Sequence, residues 1–209
     1  VLKQTKPDLV FASYGMNDGI YLPLDSGRFQ KFKEGIIWLH RKMDSTCIPI
    51  VHLTPPIFDE QKGKEYAHVL DTYSDWLKSK RQSDNWEIAD IHWPMKKFQE
   101  NKRLTDTTFA LAIDGVHPNE MGHWIMAQQL LLFIGKNEIT HYTDANSAFS
   151  NFENGDKILK LVEERQSIMK DAWLTLTGHK RPEMKVGLPL KEAQKKANQI
   201  EKQIQNLLK

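Results

Sequence analysis

A single cysteine in 209 residues, Cys47, rules out an intramolecular disulfide and a cysteine-built metal site. Its neighbours Ile48, Ile50 and Val51 are apolar, so the thiol is expected to be buried. An excess of one charge is also missing. The 29 Lys and Arg against 27 Asp and Glu leave a formal net charge of +2, spread without a basic tract, which argues against a nucleic-acid partner or a polybasic membrane anchor. No apolar run approaches the roughly 20 residues that span a bilayer. His40 and His123 lie in helical stretches and lack a second ligand at the spacing of a helical zinc motif, so neither a metal nor a cofactor is expected. The start, Val1-Leu-Lys-Gln-Thr-Lys, is neither an initiator methionine nor a signal peptide and reads as the interior of a longer polypeptide.

What is present is an alternating pattern. Residues 8–14 form a short apolar run that ends in a Gly-Asn-Asp-Gly turn cluster, as a buried parallel strand would. Residues 48–54 read as a second strand, closed by Pro55-Pro56, and residues 87–91 as a third. Between them, residues 29–43 repeat Phe32, Ile36, Leu39 and Met43 at helical spacing, and residues 64–80 do the same with Val69, Tyr73 and Trp76. Strand, helix, strand, helix, strand, loop, helix is an α/β order with a parallel sheet. A first strand this apolar is a poor edge, because exposed apolar edges invite aggregation. Strands upstream of residue 1 are therefore expected. His52 and His92, in and just after strands, read as hydrogen-bonded structural residues.

Chemistry concentrates in Asp114-Gly115-Val116-His117-Pro118. Proline fixes its own φ and pushes His117 toward extended backbone, so the imidazole sits on a loop and a helix starts at Asn119, a good cap. Gly115 allows a tight bend through which Asp114 can reach one ring nitrogen of His117. The other nitrogen is then free to act as a base. In such pairs the carboxylate fixes the tautomer, and its loss costs about four orders of magnitude in turnover. Taken alone, the two residues fit a helix-capping loop equally well. The sequence Gly15-Met16-Asn17-Asp18 after the first strand supplies what the base lacks, a side-chain amide for an oxyanion. It is also a strong turn signal in its own right. Tyr21, just beyond it, is placed to touch a substrate.

The pair Gly15-x-Asn17-Asp18 and Asp114-x-x-His117-Pro118, about a hundred residues apart, resembles the third and fifth sequence blocks of the SGNH, or GDSL-like, hydrolases. The resemblance covers residues 1–135. It implies a three-layer α/β/α sandwich of flavodoxin-like type, N-terminally incomplete, and an esterase with Asn17 at the oxyanion, Asp114 orienting and His117 as base. Gly15 and Tyr21 would line the substrate. The family's Gly-Asp-Ser block and its second, glycine block are absent, and Ser13, Ser26 and Ser45 lack their context. The nucleophile is therefore expected upstream, and these 209 residues alone are expected to hydrolyse nothing beyond a weak background. The implied substrate is a small-molecule or polysaccharide acyl ester, with acetyl groups on carbohydrate as the specific expectation. The alternative is a noncatalytic carbohydrate- or protein-binding subunit on the same fold.

Residues 136–209 change character. Residues 137–154 are polar and read as an irregular crossing, residues 155–173 as a helix, and residues 177–189, rich in breakers, as an extended arm carrying His179, Lys180 and Arg181. Those three could meet an acidic or hydroxyl-rich substrate, or be a solvated arm. The tail repeats Leu190, Ala193, Ala197, Ile200, Ile204 and Leu207 in a narrow helical seam. Packing against the same domain is the first reading and dimerisation through this helix the second. The tail resembles extensions on bacterial SGNH-like proteins associated with polysaccharide breakdown, which implies a periplasmic or secreted location. The residues themselves indicate no compartment.

Overall fold

The computed structural model describes residues 2–180 and 182–209. Along the chain come α1 (Leu2–Thr5), β1 (Val10–Ser13), α2 (Ser26–Asp44), β2 (Ile50–Leu53), α3 (Glu60–Ser83), β3 (Glu87–Ala89), α4 (His92–Arg103) and α5 (Glu120–Phe133). A 3-10 turn (Asn137–His141), α6 (Ala145–Ser150), α7 (Gly155–Leu176) and α8 (Leu190–Leu207) follow. The chain divides into two compact units, Pro7–His141 on the one hand and residues 2–6 with Tyr142–Lys209 on the other.

In the first unit the three strands pair in parallel, in the order β1-β2-β3. β2 is buried along its whole length, and its side chains alternate between two helical layers. Val51 and Leu53, with Ala89 and Ile91, face Met126, Leu130 and Phe133 of α5. His52, and its register partner Ile88 on β3, face the other way. On that side Phe32 and Ile36 of α2 pack with Tyr66, Val69, Leu70, Tyr73 and Leu77 of α3. Each such buried apolar side chain contributes about 1.5–3 kcal/mol. The result is the α/β/α arrangement expected of the sequence, with helices on both faces of a parallel sheet. β1 differs from the expectation of a buried strand. Only Ala12 is buried, whereas Phe11 stands 46% exposed at the edge.

Three other readings need correction. Residues 92–118 hold a helix, α4, where a loop was expected; Pro94 lies in its first turn, where no intrahelical N–H bond is lost. Residues 137–154 contain the 3-10 turn and α6, which is closed by a capping box between Asp144 and Ser147. Cys47 is exposed rather than buried. It ends a turn beyond α2 in left-handed backbone, φ +54°, with its N–H donating to Asp44 O at 3.0 Å, so the chain enters the core only at Ile50.

In the second unit α7 and α8 pack as a pair. Ile200 and Ile204 of the tail seam bury against Ile158, flanked by Leu161, Val162, Ile168 and Leu207, so the seam faces α7 of the same chain. Between these helices, residues 177–180 and 182–189 form neither helix nor strand; His179 and Lys180 are exposed, and Arg181 lies outside the described residues. Among the described residues no helix is long and apolar enough to cross a membrane.

Candidate active site

The Asp114–His117 turn is closed by its own backbone. Gly115 adopts φ +89°, a region that favours glycine, and its N–H donates to Ala112 O at 3.0 Å. The Asp114 carboxylate then folds back. Its Oδ1 accepts the N–H groups of Val116 at 2.9 Å and His117 at 2.8 Å, while Oδ2 lies 2.6 Å from His117 Nδ1. The imidazole bond first, and the two backbone N–H groups after it, hold the carboxyl well below the usual carboxylate range. An ionised carboxylate can only accept, so the proton on Nδ1 belongs to His117, and in the neutral ring the nitrogen left with a lone pair is Nε2. That is the tautomer a general base needs. The pair is open, with the His117 side chain 84% exposed and that of Asp114 55% exposed.

The same segment is braced from outside. Asn119 caps α5 by accepting Gly122 N–H at 2.9 Å, and its own amide donates to Ala110 O at 2.9 Å. Gln99 of α4 accepts Leu111 N–H at 2.9 Å. Gly115 O accepts the N–H of Asp59, a residue of the loop after β2. The Asp59 carboxylate, only 2% exposed, is gripped by Arg103 Nη2 at 2.9 and 2.7 Å, and Arg103 Nε donates to Phe109 O at 2.8 Å. Asp59 and Arg103 were not picked out from the sequence. An Asp-Glu-Gln start to α3 signals the cap at Asp59, but nothing local signals a partner forty-four residues away.

Asn17 lies in the loop that leaves the carboxyl end of β1. Gly15 makes the bend with φ +118°, and its N–H donates to Asp18 Oδ2 at 3.0 Å. Asn17 O accepts Ile20 N–H at 3.1 Å, and the Tyr21 hydroxyl donates to Asn17 Oδ1. The Tyr21 ring lies 4.9 Å from that of Tyr66 and 6.1 Å from that of Phe58. Phe58 in turn packs against the Gly115 turn, its ring 3.4 Å from where a Gly115 Cβ would stand. The loops after β1 and β2 and the 114–117 turn thus meet around Phe58 at the carboxyl edge of the sheet, where open α/β sheets bind ligands. Among the described residues no hydrogen bond joins Asn17 directly to His117.

The parallel sheet thus carries, at its carboxyl edge, a carboxylate-held imidazole and a side-chain amide, groups capable of proton transfer and of hydrogen-bond donation to an oxyanion. The chain belongs to the GDSL-like lipase/acylhydrolase family, whose profile matches residues 1–125. Among solved structures it is similar to a catalytic mutant of Axe2, an acetylxylan esterase from Geobacillus stearothermophilus, at 23% identity and a TM-score of 0.52 over 64% of this chain and 62% of that one. A second Axe2 mutant, described as an acetyl-xylooligosaccharide esterase, aligns at 24% identity and a TM-score of 0.51, over 63% and 61% of the two chains. A gut microbial diltiazem-metabolizing enzyme aligns at 20% identity and a TM-score of 0.52, over 64% of this chain and 34% of its own length. The chain therefore spans about three fifths of Axe2 and a third of the third structure. At these identities the likeness is one of fold. No curated protein matches the chain.

Proposed function

We propose that the intact protein is a serine ester hydrolase that removes acyl groups, acetyl in particular, from carbohydrate esters, and that its nucleophilic serine comes from a segment upstream of residue 1. The serine Oγ attacks the acyl carbon while His117 Nε2 takes its proton. Asp114 holds the imidazolium, and Asn17 Nδ2 donates to the oxyanion of the tetrahedral intermediate. On collapse His117 returns the proton to the leaving alcohol, and a water molecule repeats the sequence on the acyl-enzyme. These steps call on no metal or cofactor.

The observation that carries the reading is the 2.6 Å contact between Asp114 Oδ2 and His117 Nδ1, which makes Nε2 the nitrogen that can take a proton, at the sheet edge that also bears Asn17. Support for an upstream segment comes from β1. Its outer side has no strand partner among the described residues, and Phe11 of the strand is 46% exposed, with Leu9 and Tyr14, which flank it, 42% and 56% exposed. Proteins ordinarily cover or charge such an edge. The carbohydrate acetyl ester as substrate is supported by the fold shared with Axe2.

The test is to express the polypeptide with its upstream residues and assay 4-nitrophenyl acetate and acetylated xylooligosaccharides. His117→Ala is expected to lower kcat by at least about 10³-fold. Turnover unaffected by that substitution would refute the assignment. Glycan binding with no turnover in the intact protein would favour a noncatalytic carbohydrate-binding subunit instead.

A further inference from the structure

The loop that presents Asn17 is built at a cost that its chain path alone does not explain. Ile20 and Tyr21, consecutive and neither of them glycine, both adopt left-handed backbone, with φ +51° and +58°. A β-branched residue in that region is an outlier, and strained residues of this kind persist only where their surroundings impose them. Here the surroundings are specific. Ile20 N–H donates to Asn17 O at 3.1 Å and Leu22 N–H to Gly19 O at 3.2 Å. The Tyr66 hydroxyl donates to Met16 O and lies against the backbone N–H groups of Tyr21 and Gly19. The left-handed turn points the Tyr21 phenol back over the residue four positions earlier, and its ring packs against Tyr66 and Phe58, which also contact each other.

We propose that Tyr21 is a positioning residue for the Asn17 amide: by donating its hydroxyl to Asn17 Oδ1, it turns the Nδ2 hydrogens toward the oxyanion. A primary amide has an acceptor end and a donor end of nearly equal size, and only the donor end stabilises an oxyanion. Without a partner at Oδ1 the side chain can rotate about χ2 and present its carbonyl to the developing negative charge. With Oδ1 engaged by the phenol, the amide is preorganised, and donation to its oxygen polarises the N–H bonds. The inference rests on the assignment of Asn17 as oxyanion donor in the proposed esterase.

The test is a double-mutant cycle on the polypeptide with its upstream residues, using 4-nitrophenyl acetate. Tyr21→Phe keeps the ring and its packing and removes only the hydroxyl. It is expected to lower kcat by about 10-fold, with KM within about twofold, while Asn17→Ala lowers kcat by about 10²–10³-fold. In the Asn17→Ala background the further change Tyr21→Phe is expected to have no effect on kcat, because the hydroxyl acts only through the amide. Losses that multiply in the double variant, or a Tyr21→Phe enzyme within twofold of the parent kcat beside an impaired Asn17→Ala, overturn the positioning role alone. An Asn17→Ala variant with the parent kcat overturns both this role and the oxyanion assignment. A readout independent of turnover is the Asn17 side-chain amide signal in a ¹⁵N–¹H spectrum of the 209-residue chain. It is expected to move on Tyr21→Phe, and an unmoved signal overturns the proposal.

Discussion

His52 should make the first unit acid-labile, and the size of the effect follows from its surroundings. It sits on the central strand, 1% exposed, with Nε2 at 3.1 Å from His40 Nδ1 and Nδ1 buried without a partner among the described residues. Trp86 stacks on His40 with ring centroids 3.9 Å apart, and Asp44, 3.6 Å from His40 Nε2, and Asp84 are the carboxylates facing the pair. Protonating His52 would place a new N–H where nothing accepts it. Burial first, and His40 beside it, push the imidazole from 6.5 down to about 4. The unfolded chain therefore binds the proton more tightly than the folded one, so stability is full above about pH 6.5 and falls as the pH drops toward 4. The whole gap corresponds to about 3 kcal/mol, of which about 2 kcal/mol is lost between pH 7 and pH 5. His40, also lowered chiefly by burial, acts in the same direction. The assay is urea unfolding of the 209-residue chain at pH 7 and pH 5, followed by tryptophan fluorescence, for the parent and for His52→Gln, which can still bond His40 but does not titrate. The parent should lose about 2 kcal/mol more than the variant on acidification. Equal losses in the two proteins would refute the reasoning.

Three other perturbations test separate parts of the structure. Asp114→Asn, in the polypeptide with its upstream residues, is expected to lower kcat by about 10⁴-fold while far-UV dichroism is unchanged, because an amide NH₂ facing Nδ1 moves the ring proton to Nε2. Arg103→Met strands the Asp59 carboxylate and should destabilise the first unit by about 3–5 kcal/mol in urea unfolding at pH 7; Arg103→Lys keeps a charge for Asp59 but loses the Nε donation to Phe109 O, and its stability should fall between those of the parent and Arg103→Met. Ile200→Ala opens the seam between α7 and α8 and should cost about 2–5 kcal/mol, read as earlier loss of helical dichroism in urea, with the His52-dependent acid transition of the first unit unmoved.

Much of the fold was legible because it is written in local patterns. The three strands are apolar runs closed by turn residues, and α2, α3 and α5 are apolar at helical spacing, so periodicity alone locates them. Where structure depends on features without a period, the reading failed. α4 reads as loop along the sequence, and its buried face is carried by only His92, Met95 and Gln99, two of them polar, so it shows little apolar periodicity. Apolar neighbours suggested a buried Cys47, yet the turn beyond α2 keeps it outside the core. The capping box of α6 is a four-residue signal in a polar stretch too short to show a helical face.

The candidate site divides along the same line. The geometry of Asp114 and His117 relative to each other is local, three residues across a glycine turn, and so Asp-Gly-Val-His-Pro is enough to specify it. The placement of that pair relative to Asn17 is not local. It depends on Phe58 wedged between Tyr21 and the Gly115 turn, and on Asp59, whose N–H holds Gly115 O while its carboxylate is held by Arg103. Phe58, Asp59 and Arg103 carry no chemistry of their own, which is why no motif points to them. It follows that the two kinds of residue should fail differently. Substitution within the turn destroys the base where it stands. Substitution at Phe58, Asp59 or Arg103 should leave an intact Asp114–His117 pair that is displaced from Asn17, and misplacement by about 1 Å is enough to cost about 10²-fold in rate.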